Sequence, residues 1–173
     1  MLFAPNLYNY YTTQLGALFN SDSSLRRIFK GSWPAVTFNF GPFTVCFPHI
    51  DTANLVWGWC SICALGHYDP QRGGHLVLWD LGLIIEFPPG STILIPSAIL
   101  KHSNTRIGTG ETRYSFTLHV AAGLFCWVYN GFCSDLTWEG NATQEQRAER
   151  EHHRQTRWQR GLSMFSKLSD LVS

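Results

Sequence analysis

Leu83-Ile84-Ile85-Glu86-Phe87-Pro88-Pro89-Gly90-Ser91-Thr92-Ile93-Leu94-Ile95 is two short apolar runs hinged on Pro-Pro-Gly. Proline presets the backbone for a turn and glycine supplies the conformations other residues avoid, so the triplet predicts a tight turn. The runs on either side, Leu83–Phe87 and Ser91–Ile95, are too short and too rich in isoleucine for anything but strands. The same texture recurs outward from this turn. Val36–Phe40 and Phe43–Phe47 are broken by Gly41-Pro42, and Trp57–Leu65, His75–Trp79, Arg113–Val120 and Leu124–Tyr129 follow. Eight or so short strands at this spacing predict a β sandwich or barrel core.

Helical signals lie at the two ends of the chain. Asn6–Phe19 reads as a helix. Ser21 or Asp22 can cap a second short one running to Phe29, with Gly31 just past its end. Thr143-x-x-Gln146 is a capping-box signature. It opens a run rich in Gln, Glu, Arg and Ala to Arg160, which Gly161 is expected to end, and Leu162, Phe165, Leu168 and Leu171 continue at helical spacing. The expected class is therefore α+β with a mostly β core, flanked by N-terminal and C-terminal helices. Residues 1–140 form the core domain with its N-terminal helices, and 141–173 a helical extension packing on or beside it.

Composition narrows the functional classes. The 173 residues suffice for one domain with a sizeable core, and 45% hydrophobic content excludes a disordered chain. A formal net charge of +1 gives no global field to attract nucleic acid. Charge is uneven, with seven Lys+Arg against eight Asp+Glu in residues 1–140, and six against four in 141–173. The basic strip Arg147, Arg150, Arg154, Arg157 and Arg160 is interleaved with Glu145, Glu149 and Glu151. It reads first as a solvated helix face of Glu–Arg pairs and second as a phosphate contact. Five cysteines form no framework, which suits a reducing compartment. Cys60-x-x-Cys63 has no second pair to make a zinc site and sits in an apolar run, so it reads as core. No secretory signal and no stretch approaching a membrane span is present, so a soluble, intracellular protein is expected. Neither Walker nor G-x-G-x-x-G spacing occurs.

The chemistry sits in Pro48-His49-Ile50-Asp51, Lys101-His102 and Arg113-Tyr114-Ser115. In a strand His49 and Asp51 point to the same face, so both can reach one ion. The third ligand must come from elsewhere. His102 is the candidate, because it follows the strand and the turn Ile95-Pro96-Ser97, and Arg113 lies eleven residues beyond. His67, His75 and His119 read equally well as structural or surface residues. Two imidazoles and a carboxylate on one face of a metal leave positions open, the arrangement suited to Fe(II) and O2. A guanidinium at Arg113 can grip a carboxylate with two parallel bonds, with Ser115 adding a third. A cupin-type site would want His-x-His where this chain has Asp51.

This pattern resembles the Fe(II)/2-oxoglutarate dioxygenases. Pro48-His49-Ile50-Asp51-Thr52-Ala53-Asn54, with Gly58–Leu65, further resembles the TET/JBP family that oxidises methylated bases in DNA. Gly73–Trp79, Phe87–Ala98 and His102-Ser103-Asn104 resemble its fungal, mobile-element-associated members, the likeness running from about Thr37 to Phe132. The resemblance implies a double-stranded β-helix, or jelly roll. It implies iron on His49, Asp51 and His102, and 2-oxoglutarate on Arg113 and Ser115. It implies a flipped base held by the amide of Asn54 and stacked on His119. The implied reaction uses O2 to convert 5-methylcytosine in DNA to 5-hydroxymethylcytosine and further, in a nuclear location, with no membrane and no obligate protein partner. Ala121 stands where animal members carry a base-contacting histidine. That leaves open another methylated base such as N6-methyladenine, a protein or small-molecule substrate, or an idle jelly-roll binding module.

Overall fold

The computed structural model describes residues 3–25 and 31–171. It divides into two compact units, one of residues 33–121 and the other of the two chain ends, up to 32 and from 122.

The first unit is built of antiparallel strands. They are β1 (Ala35–Asn39), β2 (Cys60–His67), β3 (Leu76–Leu78), β4 (Leu83–Ile85), β5 (Thr92–Ile95), β6 (His102–Asn104) and β7 (Thr112–His119). One sheet runs β1-β7-β2-β5 and the other β4-β3-β6. Strand alternation explains how they face each other. Cys60, Ile62 and Ala64 on β2, Leu76 and Leu78 on β3, and Ile95 on β5 are every second residue, and with Phe87 they form one buried cluster. Two antiparallel sheets closing on such a core make the expected jelly roll, with helices at both ends of the chain.

Two expected strands differ. Phe43–Phe47 forms no regular strand. It is held by single bridges, Phe43 beside Arg113 and the Cys46 carbonyl accepting from the Asn104 amide at 3.3 Å. Leu124–Tyr129 is a helix, α2 (Ala122–Tyr129; α1 is given below). Its apolar residues run unbroken, so alternation could not decide between strand and helix. The deciding signal is Gly131, in left-handed conformation at φ 71°. There the Phe132 and Gly131 amides return to the carbonyls of Trp127 and Val128, a helix-ending turn that glycine favours.

In the second unit, α1 (Pro5–Ser21) buries Leu7, Tyr11, Leu15 and Leu18 along one stripe. Phe125 of α2 meets Tyr10 and Tyr11 edge-on, with centroids 5.4 and 5.7 Å apart. Ser134 caps α3 (Asp135–Asn141), a helix the sequence reading did not include. The capping box at Thr143 and Gln146 is formed and opens α4 (Gln144–Leu162). Gly161 is buried inside α4 and does not end it. A last turn, α5, spans Leu168–Leu171. Of the helix expected from Ser21 or Asp22 to Phe29, residues 26–29 lie outside the described residues, and 22–25 form a turn in which the Leu25 amide donates to the Asp22 carbonyl at 3.2 Å. No described helix is long and apolar enough to cross a membrane.

Candidate metal and carboxylate site

His49 lies on an extended segment rather than in a regular strand. Its backbone exchanges both hydrogen bonds with His102, N to O distances being 3.0 and 2.9 Å. The two histidines are thus directly cross-bridged, and their ring centroids stand 4.4 Å apart. Two residues on, the Asp51 amide donates to the Ser97 carbonyl at 3.0 Å, which holds the segment extended. His49 and Asp51 therefore share a side. Nε2 of His49 lies 3.6 Å from Oδ1 of Asp51. One ligand atom from each of His49, Asp51 and His102 falls within 4.8 Å of the others.

The proton positions suit a cation. Nδ1 of His49 faces the Phe47 carbonyl at 2.7 Å, and Nδ1 of His102 faces the Leu100 carbonyl at 2.9 Å. A carbonyl only accepts, so each Nδ1 carries the proton and each Nε2 keeps its lone pair. Burial lowers the His102 pKa, with the Leu100 carbonyl partly opposing, and so favours the neutral ring a metal needs. Asp51 supplies the hard anionic oxygen. The donor set fits a divalent first-row metal with open positions.

These three residues line a cavity of about 400 Å³ that also takes in Asn54, Arg113, Ser115 and His119. The structure thus gathers every site residue drawn from the sequence around one space. Strand register explains the wall. Arg113, Ser115, Thr117 and His119 are alternate residues of β7, and Tyr114 between them faces outward, 37% exposed. On β2 the residues opposite Arg113 and Ser115 are Gly66 and Ala64, which leave the cavity open. Gly66 has φ +119°, and a Cβ there would fall 2.2 Å from the Thr112 carbonyl oxygen. On β1, Asn39 lies opposite Ser115 and Thr37 opposite Thr117, and both line the cavity.

Arg113 is the electrostatic anomaly. It is 3% exposed, and its Nε is buried with no partner. Its Nη1 donates to the Thr44 carbonyl at 3.4 Å, and the Tyr68 hydroxyl lies within its hydrogen-bonding reach. No ion pair among the described residues includes it. Beside it burial raises the Tyr68 pKa, the guanidinium pulling the other way. A buried cation without an anion costs several kcal/mol, on the order expected for an unpaired buried ion. An incoming carboxylate removes that cost.

Sequence reasoning left out Asn39. Its Nδ2 donates to Ser115 Oγ at 3.0 Å, which directs the Ser115 hydroxyl proton away from Asn39. Only the β1–β7 register reveals it. Asn104 was quoted only for its family resemblance. It accepts from the Cys46 amide at 2.8 Å and donates to the Thr44 carbonyl at 3.1 Å, tying down the segment that leads to His49. Asn54 lines the cavity, yet its Nδ2 points at Asp51 Oδ2 at 3.1 Å. His119 lines the cavity with Nδ1 3.4 Å from the Thr117 carbonyl. Cys60 and Cys63 are free and buried, three apart on one strand and hence on opposite faces, so they share no ion.

No protein-family model matches the sequence, and no curated protein matches it. Among solved structures the chain is similar to NgTET1 in complex with 5mC DNA, at 18% identity and TM-score 0.47, over 69% of this chain and 48% of that one. It is also similar to the viral collagen prolyl hydroxylase vCPH of Paramecium bursaria Chlorella virus 1 in its 2OG complex. There identity is 13% and TM-score 0.36, over 66% of this chain and 73% of that one. The chain spans about half the length of the NgTET1 chain, 48%. At such identities the likeness concerns backbone alone, and the chemistry of the site rests on its own side chains.

Proposed function

We propose that this protein is an Fe(II)- and 2-oxoglutarate-dependent dioxygenase acting on a methylated base in DNA. The observation that carries the reading is the buried, carboxylate-free Arg113 lining the same cavity as the His49, Asp51 and His102 cluster. A metal triad alone fits many ions, and a buried arginine alone fits many anions. Together they fit a ligand that chelates metal at one end and carries a carboxylate at the other, as 2-oxoglutarate does.

Iron and 2-oxoglutarate, when bound, supply with O2 the oxidising power to hydroxylate a methyl group, 2-oxoglutarate leaving as succinate and CO2. The protein's own part is positional. His49 and His102 present neutral Nε2 atoms, and Asp51 an anionic oxygen. Arg113 neutralises and orients the far carboxylate through paired N–H donors. Ser115, accepting from Asn39, keeps its own hydroxyl proton for the same carboxylate. The sheet faces exclude bulk water from the cavity floor, which strengthens each of these contacts.

The methylated-base substrate rests on the motif resemblance from Thr37 to Phe132, with 5-methylcytosine the first choice. His119, at the end of the β7 row that lines the cavity, would stack on a base taken out of the helix. The test is incubation with Fe(II), 2-oxoglutarate and DNA bearing 5-methylcytosine, followed by nucleoside mass spectrometry. 5-Hydroxymethylcytosine is expected, and it should vanish in Asp51→Ala and His102→Ala. Succinate release with N6-methyladenine DNA or peptide alone would move the substrate elsewhere. No 2-oxoglutarate turnover with any of them would mark an idle binding module.

A further inference from the structure

The hydrogen-bond donors of Asn54 are met by the protein itself. Nδ2 lies 3.1 Å from Asp51 Oδ2, 3.2 Å from Cys60 Sγ and 3.4 Å from Ser97 Oγ. Two N–H groups thus meet three acceptors, all belonging to the protein. Two of these acceptors are anchored deep in the core. Cys60 is 2% exposed within the inter-sheet cluster, Ser97 is 1% exposed, and their Oγ and Sγ atoms are 2.7 Å apart. The backbone fixes the approach. The Asn54 amide donates to the Asp51 carbonyl at 2.9 Å, closing a turn that brings its side chain back over the carboxylate. Residue 54 is also bridged to Ala121, and the Leu55 amide donates to the Val120 carbonyl at 2.9 Å.

We infer that Asn54 is a positioning residue for the metal ligand Asp51, tying its carboxylate to the buried Cys60–Ser97 pair. A carboxylate on a short turn can rotate between one-oxygen and two-oxygen ligation. With Oδ2 accepting from Asn54, Oδ1 is left facing His49 Nε2 at 3.6 Å, where the cation would sit. Hydrogen bonds of this kind behind a metal ligand are commonly worth about 10–100-fold in metal affinity.

This inference rests on the proposed metal site, and the test separates the two. Mn(II) is titrated calorimetrically into the metal-free chain without 2-oxoglutarate or DNA, and Co(II) is followed in parallel by its visible absorption. Wild type is compared with Asn54→Ala and with Asn54→Leu, which keeps the shape and removes the donors. Ser97→Ala serves as a third variant that withdraws one anchor and leaves Asn54 in place. The expected result is Mn(II) binding weakened roughly 10–100-fold in the Asn54 variants and less in Ser97→Ala, with an altered Co(II) spectrum. Wild-type metal affinity in folded Asn54 variants overturns the inference. If both Asn54 variants fail to fold, unchanged affinity and spectrum in Ser97→Ala overturn it. No Mn(II) binding by wild type overturns the metal site itself.

Discussion

Two arginines, one in each compact unit, are largely withdrawn from water and treated in opposite ways. Arg150 on α4 is 19% exposed at its side chain. It meets Asp135 at 2.6 Å and Glu139 at 3.7 Å, and it lies 4.3 Å over the Trp138 ring. Arg113 on β7 is more deeply buried, and among the described residues it meets no carboxylate. The first is a structural contact whose charge and ring face are answered by the chain, although its Nη1 makes no hydrogen bond. The second has the same fork with the anion left out, beside a cavity. Burying a cation is costly unless something pairs with it, so of the two arginines the unpaired one is the one that can take up an anion. The same contrast runs through the histidines. His153 faces the Tyr129 hydroxyl at 2.9 Å, whereas His49 and His102 each hold a free Nε2 beside Asp51.

The largest effect expected is from breaking the open site at its metal end. Asp51→Ala removes the only anion of the triad and His102→Ala removes its buried imidazole, so 2-oxoglutarate turnover should fall to background in both. Mass spectrometry of succinate reads the result. Equal turnover in either variant would remove iron from His49, Asp51 and His102. The corresponding change in the other unit, His153→Ala, should leave turnover unaltered.

Next comes the arginine pair itself. Arg113→Met should weaken 2-oxoglutarate binding by about 2–5 kcal/mol, roughly thirtyfold to several thousandfold. The ligand-free protein should lose no stability and can gain about 1 kcal/mol or more, since an unpaired buried charge is replaced by a flexible apolar side chain. Arg150→Met should do the reverse. It should cost about 1–2 kcal/mol through the lost ion pairs and ring contact, and leave 2-oxoglutarate affinity alone. Calorimetric binding and chemical denaturation on both variants check the crossing pattern. If Arg113→Met destabilises the free protein as Arg150→Met does, Arg113 is structural. A smaller effect is expected from Asn39→Ala, which should weaken 2-oxoglutarate by about 0.5–1.5 kcal/mol through Ser115.

What the residues reveal in advance divides along the same line. The candidate site residues were legible because their spacing is local or motif-like: His49 and Asp51 two apart, and Arg113 and Ser115 two apart on a strand. The strand texture around Pro88-Pro89-Gly90 was legible because alternation and turn chemistry act over a few residues. Asn39 was not, since it reaches Ser115 only through the β1–β7 register, and register is a long-range property. The contacts of the Asn54 donors were hidden for a similar reason. The amide suits a base chemically, and only the fold shows that Cys60 and Ser97 stand behind it. Leu124–Tyr129 misled because an unbroken apolar run has no period to read, and the evidence lay one turn downstream in Gly131. The basic strip on α4 misled in part as well. Arg154 pairs with Glu151 within the helix at 3.5 Å, but Arg150 turns to α3, an element not recognised in the sequence.

The smallest prediction concerns the paired arginine alone and is a matter of pH. Asp135 accepts from Asn130 Nδ2 at 2.8 Å and from Arg150, and these bonds hold its carboxyl below the ordinary 3.8. Between the depressed folded value and the unfolded one, the unfolded chain binds the extra proton. Stability from Asp135 is therefore full above about pH 4 and is lost as pH falls through the folded value. Because the carboxylate is mostly exposed, solvent screening keeps the contribution small. Asp135→Asn should flatten this acid-side slope in chemical denaturation between pH 5 and the depressed value, estimated from an ordinary carboxylate range of about 4. Arg150→Met should flatten it only in part, because Asn130 still donates. An unchanged slope in both would mean that the helical pairing contributes no stability. The contrast between the two arginines would then rest on Arg113 alone.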